Sequence, residues 1–151
     1  MKVLAVDPGK RTGLALWVSH TDKDAKQYGE HQSWIEDWQQ SMATIEAWVP
    51  NVDHLVVERF TISQGTVKKA AEAGWSMGGI GCCQYWAAKH GVPITLQSPA
   101  DAMNFAPRAK LERLGWRKPG PDHADDATRH LVLWLANNRA IDLTRLLPGA
   151  D

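Results

Sequence analysis

The sequence predicts an α/β domain in which a mixed five-stranded sheet carries helices on both faces. Three observations predict it. Two aliphatic and β-branched runs near the start are joined through a tight Asp7-Pro8-Gly9 turn. A short unbroken apolar run, Leu55-Val56-Val57, has the pattern of a strand covered on both sides. Longer stretches with helical spacing then alternate with the later strands. Consecutive hairpin strands followed by strands alternating with helices put antiparallel and parallel pairs into one sheet.

Val3 to Val6 is the first strand, and a second run from Gly13 to Val18 returns after a four-residue turn. Residues 28–35 have the composition of a weaker third strand. From Asp37 to Val49, Trp38, Met42, Ile45 and Val49 follow helical spacing, and Pro50-Asn51 closes the helix. The fourth strand, Leu55 to Val57, ends at Glu58. Residues 66–90 read as one long helix, with Gly91 as its stop and Pro93 just beyond. Gly74, Gly78, Gly79 and Gly81 each lower helix propensity there by about 1 kcal/mol relative to Ala. They predict either a break or close packing against another backbone, a second copy of the chain being one choice. Val92 to Gln97 is the last strand, residues 100–118 are basic and partly helical, and Asp122 to Asn138 is an apolar terminal helix.

At 151 residues, the chain reads as one domain, 1–151, with a real core. Apolar residues at 44% and charged residues at 23% are ordinary for a globular protein and exclude a disordered or fibrous one. Lys plus Arg (17) balances Asp plus Glu (17), so affinity for nucleic acid must come from local patches. The two cysteines, Cys82 and Cys83, are adjacent on a helix, a poor geometry for a disulfide and too few ligands for structural zinc. They read as reduced core thiols of a cytoplasmic protein. The apolar run at the start is too short for a signal peptide, and no run approaches the ~20 residues of a membrane span.

Three acidic positions stand where chemistry would want them. Asp7 ends the first strand, Glu58 ends the fourth, and Asp126 lies in the first turn of the last helix. A carboxylate ending an apolar strand needs a partner to offset its desolvation. One such residue is commonly a turn-former; two on strands able to lie side by side, plus a helix-borne cluster, is an arrangement used to hold Mg²⁺ or Mn²⁺. Two such ions, roughly 3.5–4 Å apart, would flank a scissile phosphodiester. Within Asp122-His123-Ala124-Asp125-Asp126-Ala127, residues three apart share a face, so the pairs are His123 with Asp126 or Asp122 with Asp125. Asp125 precedes Arg129 by four residues, which suits a solvent-facing ion pair, and Asp122 suits an N-cap. His123 with Asp126 is therefore preferred, and Asp125 stays as the alternative metal ligand. His130 reads as structural or as a support to the ligands.

These residues together resemble a known family. Val3-Leu-Ala-Val-Asp7-Pro-Gly-Lys-Arg-Thr-Gly-Leu-Ala is similar to the opening strand and turn of RuvC-type Holliday junction resolvases. Val56-Val-Glu58-Arg-Phe60 resembles their second acidic motif, and His123-Ala-Asp-Asp126-Ala127 their closing one. The resemblance implies an RNase H-like fold of the retroviral integrase superfamily, in a phage or divergent version. It implies Asp7, Glu58, His123 and Asp126 as catalytic metal-site residues binding two Mg²⁺ or Mn²⁺ ions, in a homodimeric endonuclease that resolves four-way and other branched DNA in a bacterial or phage-infected cell. Phe60 lies two residues after the glutamate, where many of the family carry an aromatic at three, which bears on its stacking at the junction. The first two motifs also resemble the YqgF/RuvX family of RNA-processing nucleases, but about sixty residues separate Glu58 from the last acidic motif, a spacing that favours RuvC.

Arg108, Lys110, Arg113, Arg117 and Lys118 form a basic stretch just before the metal-site helix, and Lys68 and Lys69 follow Glu58. These are the expected phosphate contacts. Trp116 suits base stacking or, more ordinarily, a core anchor. Eight tryptophans is high for this length; Trp75, Met77, Tyr85 and Trp86 on the long helix would line a dimer interface with the glycines. The remaining readings are an RNA nuclease of the YqgF type, a junction-binding protein without cleavage, and an actin-like nucleotide-binding domain, the last needing a second domain for which 151 residues leave no room.

Overall fold

The structure, a computed structural model, describes residues 1–21, 27–61, 70–117, 119–120 and 122–141. The strands are β1 (Lys2–Asp7), β2 (Arg11–Thr21), β3 (Gln27–Asp37), β4 (His54–Glu58) and β5 (Ile94–Gln97). The helices are α1 (Trp38–Trp48), α2 (Ala70–His90), α3 (Pro99–Phe105), α4 (Arg108–Arg113) and α5 (His123–Asn137), with a 3₁₀ turn at Val49–Asn51.

Among the described residues the strands form one sheet in the order β3-β2-β1-β4-β5. The β1–β2 and β2–β3 pairs are antiparallel, while β4 lies parallel to both β1 and β5. The first turn is tied by Thr12, whose hydroxyl donates to the Gly9 carbonyl at 3.0 Å. Asp37 ends β3 and starts α1, its carboxylate accepting from the Gln40 amide at 3.0 Å, an N-cap that stops the strand and begins the helix in one residue.

Period-two alternation gives the sheet two buried faces. Leu4, Val6, Leu14, Leu16, Leu55 and Val57 pack against Met42, Ile45 and Val49 and against Cys83, Trp86 and Ala87 of α2. Val3, Ala5, Ala15, Trp17 and Val56 pack against Ala127, Leu131, Trp134 and Leu135 of α5. Burial pushes the Cys83 thiol up to about 12, which leaves it an inert core group, as its position on the covered face of α2 suggests.

The glycine-rich helix is continuous from Ala70 to His90; residues 66–69 of the predicted helix lie outside the described residues. Gly79 is where close packing operates, since a Cβ there would sit 2.8 Å from the side chain of Pro8 in the first turn. Gly74 and Gly81 face open space. Trp86, expected at an interface, is instead buried against the sheet, while Trp75, Met77 and Tyr85 remain exposed. Residues 100–118 resolve into two short helices, α3 and α4.

Candidate metal centre

Alternation along the strands decides which face the acidic side chains take. Asp7 follows Val3 and Ala5, and Glu58 follows His54 and Val56, so both emerge on the face covered by α5. The parallel register pairs Val6 with Val57, which sets Asp7 and Glu58 at neighbouring strand ends. On its other side Asp7 pairs with Gly13 of β2. A Cβ on Gly13 would fall 1.8 Å from the backbone oxygen of His123, so only glycine lets the first turn of α5 settle onto the sheet beside Asp7.

That approach brings the third acidic motif in. His123 donates from Nδ1 to Oδ2 of Asp7 at 3.0 Å. Ligand atoms of Asp7, His123 and Asp126 all lie within 4.8 Å of one another, with Asp7 buried and the other two half-buried. Glu58 is not within that 4.8 Å group: it lies at the adjoining strand end, with one oxygen 2.8 Å from Nε2 of His130. The other ring nitrogen of His130 meets the Gln97 side chain at 3.0 Å. Asp126 pairs with Arg129 one turn on.

Burial first, and neighbouring carboxylates second, disfavour ionisation within the group. Burial above all, and the charges of Glu58 and Asp126 with it, push the Asp7 carboxyl above its ordinary value against the opposing hydrogen bond from His123. Burial and Glu58 push Asp126 the same way, against the opposing charge and hydrogen bond of Arg129. The bond to Asp7 holds the His123 ring above its usual value. Carboxylates crowded at a cost to their own ionisation are relieved by a divalent cation, and two carboxylates with an imidazole are a donor set that fits one.

The register within the last motif differs from one sequence expectation. Asp125 is not a solvent-facing partner of Arg129: it is 2% exposed and lies 3.6 Å from Nε of Arg117. Arg129 pairs with Asp126 instead, because α5 is pressed into the sheet and the 100° step between neighbours sends 125 and 126 in different directions. Asp122 occupies the cap position, but its side chain makes no capping bond.

Of the basic residues, Arg108 pairs with Glu112 at 3.0 Å, and Arg117 lies 3.6 Å from the same carboxylate. The Lys110 ammonium donates to the Phe105 carbonyl and sits 4.0 Å over its ring. Arg113 is exposed and Phe60 half-buried. Lys68, Lys69 and Lys118 lie outside the described residues. Trp116 is a core anchor, stacked on His31 at 4.5 Å and tilted on Trp17 at 5.2 Å. Sequence reasoning missed Gln97, Arg129 and the part played by Gly13. The legible signals were a polar residue ending an apolar strand and a basic residue three after Asp126.

A mixed sheet of this order, with acidic residues at the adjoining ends of its first and fourth strands and a helix laid across them, is the RNase H-like fold. The particular likeness is to RuvC. The structure of Thermus thermophilus RuvC in complex with Holliday junction substrate superposes with a TM-score of 0.55 at 20% identity, covering 91% of this chain and 96% of that one. The Thermus thermophilus RuvC structure gives 0.54 at 21%, over 92% and 97%. The yeast mitochondrial Holliday junction resolvase Ydc2 gives 0.48 at 15%, over 91% and 80%. No family model matches the sequence. No curated protein matches it either. Among the described residues no helix is long and apolar enough to cross a membrane.

Proposed function

We propose that the protein is a metal-dependent endonuclease that resolves Holliday junctions and other branched DNA. The observation that carries this reading is the convergence of Asp7, His123 and Asp126 within 4.8 Å, with Glu58 on the adjoining strand end, in a chain with RuvC's fold. Asp7, His123, Asp126 and Glu58 are the residues to hold Mg²⁺ or Mn²⁺, two ions in the full site. When bound, such ions supply Lewis-acid activation of water and neutralise charge at the departing 3′ oxygen. The chain's own part is to aim the ligands. β1 and β4 fix two carboxylates on a rigid sheet, Gly13 admits α5 to deliver the other two groups, and Arg129 pairs with Asp126. Arg108, Lys110, Arg113 and Arg117 precede α5 and supply positive charge for phosphates, with Lys68, Lys69 and Lys118 as further contacts and Phe60 near the end of β4 for stacking.

Two copies would be needed to cut two strands of a four-way junction symmetrically. The face of α2 carrying Gly74, Met77, Gly81 and Tyr85 supports a homodimer. These residues share one helical side, Met77 and Tyr85 are 56% and 64% exposed, and the glycines meet nothing within 4 Å. The free thiols Cys82 and Cys83 suit a reducing compartment, the cytoplasm of a bacterial or phage-infected cell.

The test is incubation of purified protein with labelled four-way, forked and linear DNA and with structured RNA, with and without Mn²⁺. Mn²⁺-dependent cutting confined to the branched DNA is expected. Preference for RNA would move the protein to the YqgF type, and junction binding without cutting in any metal would make it a binding protein.

A further inference from the structure

Glu58 stands in an unfavourable place for a carboxylate that nothing restrains. Its charge raises both Asp7 and Asp126, so it is near enough to be repelled by each, and its side chain is 24% exposed with water open to it. Without a tether the side chain would swing outward, away from the two aspartates. The tether present is His130, 1% exposed, one turn beyond Asp126 on the inner side of α5, with Nε2 2.8 Å from Oε2 of Glu58. A carboxylate oxygen accepts, so this nitrogen donates. The ring's orientation is set in turn by Gln97, the residue paired with Glu58 across the β4–β5 ladder, whose side-chain oxygen Oε1 lies 3.0 Å from Nδ1. In this arrangement Nδ1 donates to the amide oxygen, and the amide turned over would present its NH₂ to an unprotonated Nδ1, so Gln97 can satisfy this nitrogen in either case. The bond spans strand, helix and neighbouring strand, all rigid elements, so it fixes Glu58 without relying on a loop.

We propose that Gln97 and His130 are positioning residues: Gln97 orients the His130 ring, and the ring fixes the Glu58 carboxylate at the edge of the Asp7, His123 and Asp126 group, ready to receive a cation. This rests on the metal-nuclease reading above and deepens it. The tether keeps Glu58 in place while the site holds no metal, so its loss raises the metal concentration the site requires rather than removing a reacting group. Supports of this kind to metal ligands are worth about 10–100-fold in metal affinity.

The experiment measures Mn²⁺ binding directly, by the electron paramagnetic resonance signal of free Mn²⁺, and junction cleavage across a Mn²⁺ series. It uses wild type, His130→Leu, His130→Gln and Gln97→Leu, each checked for folding by circular dichroism. His130→Leu should bind Mn²⁺ about 10–100-fold more weakly, with kcat at saturating Mn²⁺ within about 3-fold of wild type. His130→Gln, whose amide can still donate to Glu58, should recover most of the affinity, and Gln97→Leu should weaken it by a smaller factor. A purely structural histidine would lower stability and leave the metal requirement where it was. The proposal is overturned if His130→Leu binds Mn²⁺ as wild type does, or if His130→Gln is no better than His130→Leu. Should His130→Leu not fold, an unchanged metal requirement in Gln97→Leu overturns it as well. Wild-type protein that binds no Mn²⁺ would sink the metal-nuclease reading and this proposal together, whereas wild type that binds and cuts beside unaffected variants sinks this proposal alone.

Discussion

The backbone oxygen of His123 lies 1.8 Å from where a Cβ on Gly13 would stand, directly across the β-ladder from Asp7. Any side chain at 13 therefore lifts the start of α5 from the sheet, and with it the 3.0 Å bond between His123 and Asp7. Gly13→Ala should cost at least ~3 kcal/mol of stability in chemical denaturation, the upper part of the usual range for overpacking because the clash is with backbone. Its Mn²⁺ affinity should fall too. A variant as stable as wild type would show that α5 does not bear on β2 as described.

Asp7→Asn removes charge from the centre while leaving the basic surface untouched. Junction binding in a gel-shift assay should stay within a few-fold of wild type, and cleavage in Mg²⁺ should drop about 100-fold or more, a barrier increase of about 3 kcal/mol. Cutting at the normal rate would contradict the proposed site.

The last motif separates by a stability measurement and a rate measurement taken together. His123→Ala should slow cleavage far more than Asp125→Ala. Asp125→Ala should instead lower stability, by roughly 1–3 kcal/mol, because it strips the buried partner of Arg117 at 3.6 Å. The reverse pattern would shift the metal site by one residue along α5.

Stability of the metal-free protein should fall as pH rises. The His123 value is raised by its bond to Asp7, so the stabilisation it contributes is fully present below the unfolded value of 6.5 and is lost as pH climbs through the higher folded value. Asp7 and Asp126, both raised, cost the folded state most once ionised, which acts in the same direction above 3.8. His54, lowered by burial, opposes this only on the acid side of 6.5. Thermal melts in EDTA between pH 6.5 and about 8.5 should therefore decline, and saturating Mn²⁺ should reverse the slope because protons and metal compete for the same groups. Parallel slopes with and without Mn²⁺ would count against a shared site.

Arg113 is exposed on α4, near the start of the proposed metal-site helix in sequence. Arg113→Ala should weaken binding to junction and linear DNA alike and reduce the slope of log affinity against log salt by about 1. An unchanged slope would take this residue off the DNA path.

Much of the fold was legible in order and kind. The hairpin, the Leu55–Val57 strand, the long second helix and the apolar last helix follow from alternation, helical spacing and turn residues, which act over a few residues and leave local marks. The acidic ends of β1 and β4 were legible for the same reason, since a carboxylate closing an apolar run stands out against its neighbours. Within Asp122 to Asp126 the structure places His123 and Asp126 beside Asp7, while the expected ion-pair partners came out exchanged. Arg129 went to Asp126, and Asp125 went inward to Arg117. Which side of a helix is buried depends on how deep the helix sits, and that depth is set by Gly13, 110 residues away.

What the sequence determined by itself was the set of elements and the chemical character of their ends, because hydrophobic period and turn chemistry are properties of adjacent residues. Only the tertiary structure decided that His130 and Gln97 close on Glu58 and that Trp116 goes into the core, because those contacts join residues of separate elements. Nothing local distinguishes such a residue from one facing water; the sheet register and the seating of α5 do.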